Sequence, residues 1–234
     1  MKSLSSIAVL AFALAACTKA DSSASTDSTT AGAAGATASA ANSDPDVNVA
    51  GGSLPAGYAA RTDRADAPIS GASYTVDGDK WDVKTGPAHI VYCDKTMGNG
   101  NYTASATIEQ LEAPAHPEGY GIFIGGHDLD KPTQTYTYFI VRGTGEMLVK
   151  VREGDKTRDV VKWTATPDVP KADASGKATY ALAVQVTNDA VKFMVNGKQV
   201  GSVAKTGLPT DGTAGIRINH NLHVKVTPVS VTAP

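Results

Sequence analysis

Apolar residues between Tyr180 and Val203 fall on every second position. In YALAVQVTNDAVKFMVNGKQVGSV, Tyr180, Leu182, Val184 and Val186 form one alternating run, and Val191, Phe193 and Val195 form another beyond Asn188-Asp189. A period of two buries one face of an extended strand and leaves the other to solvent. Asn196-Gly197 supplies the two residues tolerant of positive φ that a type I′ turn requires, so residues 198–203 are expected to return beside 191–195. Comparable runs recur about every ten residues and end at Gly, Pro, Asn or Asp, the spacing of a β-sandwich. They cover 72–76, 88–93, 102–111, 120–124, 135–142, 146–152, 157–163, 180–186, 191–195, 198–203, 214–219 and 222–231. No segment sustains a helical apolar period, so the pattern predicts an all-β domain of antiparallel sheets. Pro228 cannot donate a ladder hydrogen bond, which places it at an edge or a bulge.

Upstream of residue 71 the alternation is lost and composition takes over. Residues 1–17, MKSLSSIAVLAFALAAC, combine a basic Lys2, a short apolar run and small residues before a cysteine, the anatomy of a secretory signal peptide. The apolar run is too short to span a bilayer. Leu14-Ala15-Ala16-Cys17 resembles the bacterial lipobox, which implies lipidation of Cys17, membrane attachment through it and, with Thr18 following, sorting to the outer membrane, facing the periplasm or the exterior. Residues 18–53 are Ala, Ser, Thr, Gly and Asp without an aromatic side chain, a composition that cannot offset ordering entropy and reads as a flexible tether. Residues 54–70 are expected to form an irregular arm across the domain, and 71–234 to form one domain with its own core.

The balance of 21 basic against 23 acidic side chains argues against a nucleic-acid surface or a polybasic membrane patch. With Cys17 acylated, Cys93 has no intramolecular partner, and within HIVYC it reads as a small core residue. Nothing in the pattern calls for a second copy, and a monomer is expected.

Four stretches carry a family resemblance: YGIFIGG (120–126), TYTYFIVRGTGEMLVKVREG (135–154), VQVTNDAVKFMVNGKQV (184–200) and GTAGIRINHNLHVKV (212–226). In this order they are similar to the concanavalin A-like lectin/glucanase superfamily, above all its laminin-G-like and DUF1080-like members. The resemblance implies a jelly-roll β-sandwich and covers most of residues 81–231. Its motifs are hairpin and packing features, so they speak for fold and not for chemistry. The opening LFNG-x-x-L-x-x-W element of many DUF1080-like chains is missing, with only Lys80-Trp81-Asp82 in its place.

Candidate chemistry is sparse. Glycoside hydrolysis needs two facing carboxyls about 5 to 9.5 Å apart. The chain has no E-x-D-x-E strand, and Glu109 and Glu112 point to opposite faces of an extended chain. Glu118, Asp128 and Asp130 are the acids left for a hydrolase reading. Asp128 and Asp130, after Gly125-Gly126, also offer oxygens of the kind calcium takes, although His127-Asp128 and Asp130-Lys131-Pro132 are turn chemistry in any case. His220 and His223 lie three apart and do not converge on one ion without partners distant in sequence. Gly98-Asn99-Gly100-Asn101 precedes no helix and is not a phosphate loop, and no organic cofactor is implied.

Aromatic residues concentrate in the middle strands, with Tyr136 and Tyr138 on one face and Phe139 on the other. Exposed tyrosines beside Arg142 would stack on a sugar ring while neighbouring polar groups bind its hydroxyls; core packing accounts for the same rings. The ligand-binding set expected on this ground is Tyr120, His127, Tyr136, Tyr138, Arg142 and Arg217. The leading expectation is non-catalytic binding of a carbohydrate or envelope polymer, with a carbohydrate-active hydrolase and a protein-interaction module as alternatives.

Overall fold

The computed structural model describes residues 44–234; the expected leader, Cys17 and most of the tether lie outside the described residues. Fifteen strands follow one another. They are β1 Ala59–Thr62, β2 Ala72–Asp77, β3 Lys80–Thr85, β4 His89–Gly98, β5 Tyr102–Gln110, β6 Tyr120–His127, β7 Thr135–Arg142, β8 Glu146–Glu153, β9 Lys156–Ala165, β10 Ala178–Val186, β11 Ala190–Val195, β12 Lys198–Ala204, β13 Gly212–Ile218, β14 His223–Val226 and β15 Ser230–Thr232. A single 3-10 turn, Ile69–Gly71, is the one helical element among the described residues. One sheet has the order β1-β4-β13-β6-β7-β8-β9 and the other β12-β11-β10-β5-β14-β3-β2, with β15 also on β5. The strand pairings are antiparallel throughout. Two face-to-face antiparallel sheets with crossovers make this a jelly-roll sandwich.

Alternation decides which face of each strand meets the core. Along β5, Tyr102, Ala104, Ala106 and Ile108 are buried while the residues between them are half-exposed. The opposing sheet contributes Tyr120, Ile122, Phe139, Val149 and Ile216 to the same core. Rings meet across the interior, Phe139 against Phe193 at 5.0 Å and Tyr120 against Tyr180 at 6.0 Å between centroids. Such aromatic pairs add to the free energy of burial alone. His89 joins the two sheets inside this layer: its Nδ1–H donates to the Pro87 carbonyl at 2.8 Å, and its Nε2 accepts the Tyr74 hydroxyl. Burial holds the imidazole neutral and brings its pKa down to about 4.

The hairpin read from Asn196-Gly197 is present, with β11 paired to β12 and φ of 50° and 79° at the two turn residues. Three features differ from expectation. Residues of the arm form β1, which pairs along β4 through backbone bonds that the sequence AART does not advertise. The segment KWDVKT forms β3, burying Trp81, Val83 and Thr85. The run 222–231 divides into β14 and β15 because β5 meets Val226 at Ile108 but Ser230 at Ser105, so one residue bulges around Pro228.

Candidate functional site

The middle strands of the seven-stranded sheet, β13, β6, β7 and β8, are buried on both faces. Register places Phe123 beside Tyr138 and Gly215, Arg217 beside Ile90, and Arg152 beside Tyr136 on the side turned away from the sandwich core. Ile90, Tyr92, Phe123, Leu129, Tyr136, Tyr138, Ile140 and Leu148 form a second apolar cluster there, with Trp163 against it. Ring centroids lie 5.1 Å apart for Phe123 and Tyr136 and 5.8 Å for Tyr136 and Tyr138.

Charge is set into this aromatic face. Arg217 donates from both terminal nitrogens to Asp63, at 2.5 Å each, and its guanidinium stands 5.5 Å from the Tyr138 ring centre. Arg152 lies 3.6 Å from the same carboxylate and donates to the Asp63 carbonyl at 3.3 Å and the Gly154 carbonyl at 2.7 Å. Burial alone would push the Asp63 carboxyl up, but Arg217 and Arg152 outweigh it and hold it below the ordinary carboxylate value. Arg217 is raised above its usual value by Asp63 despite burial. Burial likewise pushes the Tyr138 hydroxyl up to about 12. A charge pair this deep is tolerated because its hydrogen bonds are made on both sides.

Beside the network opens a cleft of about 820 Å³ between β1 and the loops that follow β6 and β8. Tyr92, Asp130, Gln134 and Asp155 line it, along with Arg61, Asp63 and Arg152. Arg61 is aimed across it by donating to the carbonyls of Leu129 at 3.2 Å and Lys131 at 2.5 Å. Among the described residues the Tyr92 hydroxyl has no hydrogen-bond partner. Burial, then the nearby Asp130 and Asp94, raise its pKa, with Arg61 opposing.

The sequence-derived candidates fall into separate places. Tyr136, Tyr138 and Arg217 do share one face, but Tyr136 is only 1% and Tyr138 6% exposed, so neither offers the open ring that was expected. Tyr120 points the other way, into the sandwich core, where its hydroxyl donates to Gln110 at 3.2 Å. His127 is exposed at the far end of β6, its Nε2 2.7 Å from the Asp211 carbonyl. Arg142 pairs with Glu146 at 2.7 Å and lies 4.2 Å over the Trp163 ring.

Glu118 precedes and Asp128 follows the eight-residue strand β6. The strand between them is about 26 Å long at about 3.3 Å per residue, so the two acids stand at its opposite ends, far outside hydrolytic spacing. A pair between Glu118 and Asp128 or Asp130 is therefore ruled out. The Asp128 carboxylate already accepts from Lys131 at 2.8 Å and Thr133 at 3.0 Å, which lower its pKa. Glu118 belongs instead to a rim cluster around His220 with Asp44 and Asp46, two residues of the expected tether that contact the domain.

Asp63, Arg152, Tyr92 and Gln134 were not anticipated. Asp63 has its charge complement in Arg217 and Arg152, 154 and 89 residues away, so no local pattern signals it.

No family model and no curated relative matches the chain. Solved structures do. The carbohydrate binding module CBM66 from Bacillus subtilis superposes with a TM-score of 0.53 at 10% identity, covering 76% of this chain and 96% of that one. A Bacillus subtilis protein of unknown function with a galectin-like fold gives 0.53 at 12% identity, covering 74% and 88%. The metal-free carbohydrate recognition domain of Emp46p gives 0.51 at 7% identity, covering 75% and 87%. At such identities the likeness speaks for architecture alone, and the described chain has the jelly-roll fold of the concanavalin A-like type.

Proposed function

We propose that this domain is a non-catalytic carbohydrate-binding module and that its site is the cleft between β1 and the loops after β6 and β8. The observation that carries the reading is the Tyr92 hydroxyl, unpartnered among the described residues, in a cleft where Arg61, Asp130 and Asp155 also present polar groups. Sugars are held by a few fixed polar groups around a partly apolar surface, and Arg61, Arg152 and Gln134 are each fixed here by backbone carbonyls. Solved structures of like fold that are named as carbohydrate-binding support the same reading.

A glycan array probed with the full chain, followed by calorimetry on the hits, tests it. Arg61→Ala is expected to lower affinity at least tenfold and Asp130→Asn by less; binding undisturbed by both would move the site elsewhere. The lipobox resemblance at Cys17 supports a place on the cell envelope, with the module carried on a lipid anchor. Incorporation of a labelled fatty acid, abolished by Cys17→Ser, is the expected result.

A further inference from the structure

The rim cluster has a chemistry unrelated to the cleft. His220 follows β13 and Glu118 precedes β6, so the antiparallel pairing of these two strands brings both to one end of the sandwich. Asp44 and Asp46 reach the same place from the start of the described chain. His220 Nε2 lies 2.9 Å from Glu118 Oε1 and 3.5 Å from Asp44 Oδ2. On the other side of the ring, Nδ1 lies 3.2 Å from Asp46 Oδ1.

Three carboxylates around one imidazole create a local problem. When Asp46 takes the Nδ1 proton, the Nε2 lone pair faces two carboxylate oxygens, an arrangement that a metal ion between them completes. Arg64, 3.5 Å from Asp46, sits behind the imidazole and not at that point. Donor spacing favours a metal ion. Ligand atoms around a tetrahedral ion with bonds near 2.0–2.1 Å lie about 3.4 Å apart, and the two measured separations from Nε2 bracket that value.

Each donor also has its own outer partner. Asn219 donates to Glu118 Oε2 at 3.0 Å and Asn221 donates to Asp44 Oδ1 at 3.1 Å, so each amide occupies the oxygen that does not face His220. With Asp46 on Nδ1, all three donors are oriented as metal ligands are, by a second layer of hydrogen bonds. The side chains of Asp44, Glu118 and His220 keep between 18% and 22% of their exposure, enough for an ion to enter. Water can close the fourth position.

We propose that Asp44, Glu118 and His220 form a zinc site that clips the start of the domain to the rim of the sandwich. One nitrogen and a small set of carboxylates suit zinc; calcium takes six to eight oxygens.

The full chain, stripped with a chelator, is titrated with zinc chloride by calorimetry, and amide exchange is followed in the segment around Asp44–Val47. One zinc per chain is expected, with slower exchange in that segment when zinc is bound. His220→Ala and Glu118→Gln should each weaken binding at least tenfold, and Asp46→Asn should do so by about 10–100-fold without removing a ligand. Unchanged circular dichroism in the metal-free variants shows that they fold. Zinc binding equal in wild type and His220→Ala, or no zinc binding at all, overturns the proposal. Asp128→Asn, at the other end of β6, serves as the control expected to bind normally.

Discussion

The two faces of the seven-stranded sheet are both hidden from solvent along its middle strands and differ in kind. Toward the sandwich interior, Tyr120, Ile122, Phe139, Val149 and Ile216 meet the apolar side chains of the other sheet. Away from it, Phe123, Tyr136, Tyr138 and Ile140 share their layer with Arg217 and Arg152, which both pair with Asp63 from the segment after β1. The first face is held by area removed from water, the second by area plus a buried ion pair, whose loss on one side leaves an unpaired charge. A cleft with polar walls opens beside the second.

That contrast can be broken in graded steps. Phe139→Ala removes a ring packed 5.0 Å from Phe193 and should cost about 3–5 kcal/mol in urea unfolding. Arg217→Met on the opposite face should cost about 3 kcal/mol because Asp63 is left without its main partner, and adding Asp63→Asn should return a measurable part of it. No second substitution of that kind should rescue Phe139→Ala.

The acid response separates the layers further. His89 titrates near its ordinary pKa of about 6.5 when unfolded and at about 4 when folded. Between those values the unfolded chain binds the extra proton, so stability is complete above about pH 6.5 and falls as pH drops toward 4. The loss is on the order of 3 kcal/mol and should shrink in His89→Gln, read as the pH dependence of the unfolding midpoint. Asp63, whose carboxyl is held low, adds a loss only in more acidic solution, as pH falls through its folded value. Smallest of all, Gly197→Val places a β-branched residue at φ 79° with free space around it, and should cost about 1–2 kcal/mol while leaving any ligand affinity unchanged.

Much of the architecture was legible because its signals are local. Alternation over Tyr180–Val195 and the Asn196-Gly197 turn specify adjacent strands from neighbouring residues, and Pro228 does mark a bulge. β3 carries the same signal in Trp81, Val83 and Thr85 but is short and lies between Gly78 and Gly86, and β1 has no apolar stripe at all. The shared face of Tyr136 and Tyr138 follows from a period of two. Their burial does not, because it depends on what reaches that face from elsewhere, such as Leu129 in the loop after β6 and Trp163 on β9. The cleft and the rim cluster were illegible for the same reason. Asp63 with Arg217, and Asp44 with His220, are brought together only by the crossing of distant strands.

The most direct measurement of the central claim is the affinity of the full chain for a glycan selected on the array, compared between wild type and Tyr92→Phe. That substitution removes the cleft hydroxyl and keeps the buried ring. Affinity reduced about fivefold or more at unchanged thermal stability is the predicted result; equal affinity for both proteins would contradict the placement of the site in this cleft.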